Sequence, residues 1–347
     1  MSINRIYWID YAKFIGIFLV VFGHTSIEDC VVDSIYSFHM PLFFFISGYL
    51  FSFEKYANYK TFAIHRFKQL IIPYLAFNVI TYIFWLLIGR KYGADALIEI
   101  SLFKPLIGII YGNGNDHFLI HNVVLWFLPC LFVVESLFLL LFKNKNLHQA
   151  SIILLGLIVS GYIYTNYVKI NLPWGIETAI VALVFYGFSN VFKEGLRKIL
   201  SLPKFLLISL SVLSLVAFFF TSTQNGRINM LGSDYNNYFL FYLLAFNGIF
   251  LVITISDLIS SVFKRLLVVE FIASNTLFIL GFHNLSFTII KAFTVFVLKK
   301  PLVIFDHNTA LGFLLSIVTI ILLIPCIIIV NKYLPFITGK QPGRMKI

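Results

Sequence analysis

The chain has 347 residues, of which 60% are apolar and 12% charged, with a mean hydropathy of +0.92 and a net charge of +11. A soluble domain is about half apolar and a quarter charged, so this composition excludes a disordered chain and a soluble enzyme: there is too little charge to coat a water-facing surface. The basic excess forms no dense block, which argues against a nucleic-acid partner and points to topology, because basic residues collect in cytoplasmic loops of membrane proteins.

A membrane span needs roughly 20 apolar residues. The chain therefore predicts an all-α, polytopic transmembrane bundle of about ten helices, placed near 9–27, 34–53, 65–89, 121–142, 149–166, 174–194, 202–222, 237–257, 270–297 and 310–334. Residues 1–347 read as one membrane-embedded domain, with a helical core over about 9–335, a short cytoplasmic tail over 336–347 and no internal repeat. The first apolar run has no small-residue cleavage site after it and reads as a retained span.

Helix one carries Asp10, Lys13 and His24. Asp10 and Lys13 are neighbours by their three-residue spacing. Eleven residues separate Lys13 from His24, about 20° past three turns, so all three share one stripe. Ionisable groups inside hydrocarbon are costly and mark a site or a buried partner. Gly16 and Gly23 lie near this stripe and permit close approach of a helix or a ligand. Helix two opens Tyr36-Ser-Phe-His39-Met-Pro41 and runs the other way, which puts His39 at a depth similar to His24 and predicts one cavity for both.

Helix three begins His65-Arg66-Phe-Lys68-Gln69 and continues to Pro73-Tyr74. Its cations suit phosphate groups arriving from the cytoplasm, or serve only as a positive-inside anchor. Segment 90–120, with Lys104-Pro105, the run 106–111 and a turn cluster from Gly112 to Asp116, reads as an interfacial or re-entrant piece. Helix four holds Trp126, read as packing or interfacial, and Glu135 in its inner half. Helix eight holds Asn247, and helix nine holds Asn275 and, mid-helix, His283-Asn284.

With the N-terminus inside, the outer segments hold Arg90, Lys91, Lys104, Lys169, Arg227, Lys299 and Lys300, and the inner segments hold nearly all the other basic residues. That bias predicts both termini in the cytoplasm. Cys30, Cys130 and Cys326 form no pairing or metal pattern and read as free thiols, so no metal site is expected. Forty Phe with abundant Ile, Lys and Asn suggest a bacterial gene, and hence a multi-pass protein of the bacterial cell membrane. GxGxxG, Walker, HExxH and nucleophile-elbow patterns are absent.

Several stretches resemble acyltransferase family 3, and within it the fucose 4-O-acetylase-like group of integral-membrane sugar O-acetyltransferases. They are Trp8-Ile-Asp10-Tyr-Ala-Lys13, Val-Val-Phe-Gly23-His24 and Phe38-His39-Met-Pro41 through Ser47-Gly48. Arg66-Phe-Lys68-Gln-Leu-Ile-Ile-Pro73-Tyr74, Leu125-Trp-Phe-Leu-Pro129 and the Ser274-Asn275 to His283 segment follow in order. Two positions depart from the pattern: Lys13 stands where many members have Arg, which loses the bidentate fork, and Gln69 stands where a basic residue is frequent.

The resemblance implies transfer of an acyl group, acetyl in the first instance, from acyl-CoA to a sugar hydroxyl of a surface polysaccharide or its lipid-linked precursor. No permanently bound cofactor is implied; acyl-CoA is a co-substrate, and the remaining partners are the glycan acceptor and the bilayer. It implies His24 as the base, with His39 and Asp10 in the catalytic set. Lys13, Arg66 and Lys68 would meet the donor, and Glu135, Trp126, Asn275 and His283 the substrates. A transporter or flippase for a lipid-linked sugar is the competing reading, since an intramembrane polar stripe serves either activity.

Overall fold

The computed structural model describes residues 5–92 and 98–340, which are 79% helical and contain no strand. Nine helices among them are long and apolar enough to cross a membrane. In chain order the helices are α1 (Tyr7–Gly23), α2 (Asp29–Tyr36), α3 (His39–Leu50), α4 (Tyr59–Gly89), α5 (Phe103–Tyr111), α6 (Val123–Phe142), α7 (Leu147–Val168) and α8 (Pro173–Val191). They continue with α9 (Lys193–Leu200), α10 (Lys204–Ser222), α11 (Tyr238–Phe263), α12 (Leu267–Ala273), α13 (Thr276–Phe296) and α14 (Thr309–Tyr333). The second span joins α2 and α3.

The 17-residue α1 is the shortest of the apolar rods that run with the bundle, about 25 Å long. Parity gives its role. Arg5 bonds Glu270 and Ser274, while Lys340 bonds Asn275 in the same short segment, so both ends of the described chain lie at one end of the bundle. An even number of crossings is then required, and α1 supplies the tenth. We call this the terminal end and the opposite one the far end. Which faces the cytoplasm is a separate question.

Local chemistry sets the helix limits. Asn58, Asn146, Asn237 and Asn308 each cap a helix by accepting from a backbone N–H in its first turn, which satisfies an otherwise orphaned donor. The Asn58 cap starts α4 before the expected position, so His65, Arg66 and Lys68 lie inside the helix and not at its mouth. Around Pro73 the helix widens into a π-turn over Phe67–Ile71, since proline lacks an N–H and crowds the carbonyl four residues back, that of Gln69.

The expected helix 34–53 is two pieces, because Phe38 leaves the helical region, and Pro41 then sits in the first turn of α3, where no N–H is needed. The expected helix 270–297 likewise breaks at Ser274-Asn275 into α12 and α13. In segment 90–120, residues 93–97 lie outside the described residues. The nine-residue α5 spans about 14 Å, too short to cross, and Tyr74 pins it to α4 by donating to the Ile109 carbonyl at 2.7 Å.

α1 occupies the centre, packed by α2, α3, α11, α12, α13 and α14. Gly16 meets Leu42 and Phe43, and Gly23 meets Ile35 and Tyr36, so these glycines admit the neighbouring helices α2 and α3. α3 packs tightly on α8: Gly48 lies so near the Tyr186 carbonyl that a Cβ there would fall 2.1 Å from its oxygen. Asn190 ties the same corner by donating to the Gly48 and Phe51 carbonyls. Large apolar side chains such as Phe205 and Phe219 on α10 face outward, as a lipid-facing surface requires. The three cysteines are free, with Cys130 buried and Cys30 and Cys326 exposed.

Candidate active site

The candidate residues fall into two groups, one at each end of α1. At the far end α1 stops at Gly23. The last turn's carbonyls are taken by side chains: His24 Nδ1 lies 2.7 Å from the Val20 oxygen, and Thr25 donates to Phe22 at 2.7 Å. His24 is thus a helix cap and not a mid-helix residue. Its ring centroid is 5.0 Å from that of His283 on α13, at an interplanar angle of 69°. Tyr36, at the end of α2, lies between the rings of His24 (6.0 Å) and His39 (4.9 Å). The Arg227 guanidinium, from the link between α10 and α11, stands 4.5 Å over the Tyr36 ring, a cation–π contact whose charge acts on both His24 and His39.

The hydrogen bonds fix the tautomers. His39 Nδ1 bonds the Ile35 carbonyl at 2.8 Å, and His283 Nδ1 bonds the Leu280 carbonyl at 2.8 Å. Carbonyl oxygens only accept, so Nδ1 carries the hydrogen in all three rings, and in the neutral imidazole the lone pair sits on Nε2. The Nε2 of His283 is buried with no partner among the described residues. The arrangement can therefore accept a proton at Nε2 with the ring already oriented through Nδ1.

The sequence places His24 and His39 at one depth; in the structure both rings lie against Tyr36, which stands between them. The structure adds His283, expected only as a substrate contact, directly against His24. Tyr36 and Arg227 were not singled out from the sequence. Tyr36 opens the helix-two motif and is legible there, whereas in the sequence Arg227 is one more loop cation.

At the terminal end the residues pair with one another. Asp10 bonds Arg5 at 2.6 Å; Arg5 also bonds Glu270 at 2.7 Å, and Arg265 bonds Glu270 at 2.6 Å. Asp10 lies 14 residues before His24, about 21 Å along the helix, so it touches none of the three histidines. The Arg265 hydrogen bond holds the Glu270 carboxyl below its ordinary range. Lys13, partly buried, has no hydrogen-bond partner among the described residues and feels Asp10 only through space.

Arg66 forms a bidentate pair with the fully buried Glu135 of α6, and its Nη1 donates to Gln69 at 2.6 Å. Three of its five N–H groups are thereby engaged. Lys68 is exposed. Trp126 is buried against Phe127 in the first turn of α6. Asn275 donates to the Phe271 carbonyl at 2.7 Å, and its oxygen accepts from Asn331 and Lys340. It stands just before the start of α13, about two helical turns before His283, and belongs to the terminal-end group.

A fourth imidazole, His121, donates from Nε2 to Asn78 at 2.8 Å and is pushed down to about 4 by burial. No group of three or more metal-ligating side chains occurs among the described residues.

The family model of an acyltransferase domain matches residues 6–330. No curated protein and no solved structure matches the chain.

Proposed function

The chain belongs to the acyltransferase 3 family, and from that premise we propose that it is a membrane-embedded O-acyltransferase, moving an acyl group, acetyl in the first instance, from acyl-CoA to a sugar hydroxyl of a cell-surface glycan or its lipid-linked precursor. The reading extends to orientation: the terminal end faces the cytoplasm of a bacterial cell and receives the donor, and the far end meets the acceptor. One observation carries it, the His24 ring held by Nδ1 at 2.7 Å from the Val20 carbonyl, with Nε2 free to take a proton at the far end of the bundle.

A hydroxyl is a poor nucleophile near neutral pH. In the proposed step its oxygen attacks the thioester carbonyl carbon while His24 Nε2 takes its proton. The tetrahedral intermediate then collapses, the C–S bond breaks, and the proton passes to the departing sulfur, giving an ester and a free thiol. A positioned base contributes typically 10²–10⁴-fold to such a step. Lys13 lies 11 residues before His24, about 16 Å along α1, a separation that leaves a thioester near His24 when its phosphates stay at the terminal end. His39 and His283 hold the ring and the acceptor in place.

The test is label transfer. Membranes containing the protein are given labelled acetyl-CoA, and label should enter a glycan or lipid-linked sugar in a form released by mild alkali, as an O-ester is and an amide is not. Label in an alkali-stable product, or none in any glycan, overturns the reading. Labelling of the purified protein by acetyl-CoA alone would replace direct attack by a covalent acyl-enzyme.

A further inference from the structure

The chain's last described residues fold back into the terminal end. Residues Pro335–Thr338 make one turn of 3₁₀ helix, closed by Gly339 N–H to the Phe336 carbonyl and Lys340 N–H to the Pro335 carbonyl, both at 3.0 Å. Gly339 has φ +69°, the left-handed conformation that glycine adopts freely. It presses on Gln69 so closely that a Cβ would fall 2.6 Å from the Gln69 carbonyl oxygen, the carbonyl that Pro73 crowds. This turn carries the Lys340 ammonium inward. There it donates to the side-chain oxygens of Asn275 and of Asn331, the latter at 3.0 Å. Thr338 also reaches the Asn331 oxygen.

Lys340 has no carboxylate within ion-pair distance among the described residues, although it is partly buried and burial pushes it down to about 8. It is therefore still mostly charged at neutral pH. Neutral oxygens compensate a partly buried cation poorly, and one N–H of the ammonium remains unused. Gln69, whose backbone Gly339 touches, also accepts from Arg66, which keeps two unused N–H groups after binding Glu135 and Gln69.

We propose that Lys340, with Asn275 and Asn331 as its positioning residues, forms an anion site that takes a phosphate group of the acyl donor. The inference rests on the acyltransferase reading for the identity of that donor. The chemistry recognised is a phosphate mono- or diester, which a coenzyme or an anionic lipid headgroup can supply. The donor is favoured because the ammonium is turned inward onto α13 and α14, away from lipid.

The experiment is calorimetric titration of the full chain in detergent with coenzyme A and with pantetheine, which has the same arm and thiol without phosphate. Lys340→Gln should weaken coenzyme A binding by about tenfold or more, the contribution of one charge-assisted hydrogen bond, and leave pantetheine unchanged. Lys340→Arg should retain most of the affinity and serves as the folded control. Equal coenzyme A binding by parent and Lys340→Gln overturns the site and reduces Lys340 to a tether for the tail. Equal weakening of both ligands overturns it too, as general damage. Loss of binding to phosphatidylglycerol nanodiscs with coenzyme A binding intact overturns the donor assignment in favour of a lipid headgroup. A parent that binds no coenzyme A sinks the acyltransferase reading itself, a result distinct from the failure of this site.

Discussion

At His24 one side chain does two things: Nδ1 donates to the Val20 carbonyl at 2.7 Å, and Nε2 is left to receive a proton. His24→Ala removes both, and His24→Gln leaves an amide that cannot take a proton. Both should lower acyl transfer at least a hundredfold while the protein still inserts and purifies as the parent does, since neither change shortens α1. A well-folded variant retaining more than about a tenth of parental transfer removes His24 from the chemistry. His283, packed 5.0 Å from it, should act on the same step. His283→Phe keeps the volume and should lower kcat while leaving KM for acetyl-CoA near parental; a raised KM with unchanged kcat would make it a donor contact instead. His24 and His39 are legible in the sequence because helical spacing and span direction put them at one depth. The approach of His283 is not, because it depends on how α13 packs against α1, a long-range contact that no local pattern encodes. Arg227 is hidden for a similar reason: only the fold brings its loop over Tyr36.

The elements at the terminal end are held by charge. α4 and α6 share the Arg66–Glu135 pair, whose carboxylate is fully buried. Removing one partner strands the other, which costs about 3–5 kcal/mol. Glu135→Gln should thus lower thermal stability in detergent markedly, and joint replacement by Met at Arg66 and Leu at Glu135 should recover most of the loss. A Glu135→Gln protein as stable as its parent would show that the pair is not compensating buried charge. Sequence reading takes Arg66 as a donor contact and Glu135 as a substrate contact, and misses that they meet, because a cation and an anion 69 positions apart carry no local signature. The helices themselves are legible for the opposite reason, since their apolar runs and Asn caps are local. The Arg5–Glu270–Arg265 cluster joins α1 to α12. The Glu270 carboxyl is held low, so its contribution to stability is present above the ordinary carboxylate pKa near 4.3 and is lost as pH falls through the lowered value. The stability difference between parent and Glu270→Gln should accordingly be largest near pH 7 and shrink as pH falls below the ordinary carboxylate range. A difference that does not change at all as the solution is acidified would assign it to packing.

For the whole molecule, two contacts decide the crossing number. Arg5 and Lys340 both reach the segment from Glu270 to Asn275, so the chain crosses an even number of times and the short α1 must traverse the bilayer with the nine longer spans. A shorter rod is tolerated there because α1 is enclosed by neighbouring helices over most of its length. What the contacts leave to experiment is which end faces the cytoplasm, and the charge distribution predicts the terminal end. The loop between α6 and α7, at that end, carries Lys143 and Lys145, whereas the far-end turn at α2 begins with the acidic Glu28 and Asp29. Single cysteines in a background with Cys30, Cys130 and Cys326 replaced by Ser test this. Lys145→Cys reports on the terminal end and Gln224→Cys on the far end; both positions are exposed, unlike Asn113, which is buried against Glu177 and would resist any reagent. A membrane-impermeant maleimide added to whole cells should label Gln224→Cys and leave Lys145→Cys untouched until the membrane is opened. The reverse pattern would put the histidines on the cytoplasmic side and the Lys340 site outside, where no acyl-CoA is made. Labelling of both from one side would mean an even number of crossings between them. The chain has three spans there, α6 to α7 being followed by α7, α8 and α10, so the two cysteines must sit on opposite faces, and the same-side result would overturn the ten-crossing bundle.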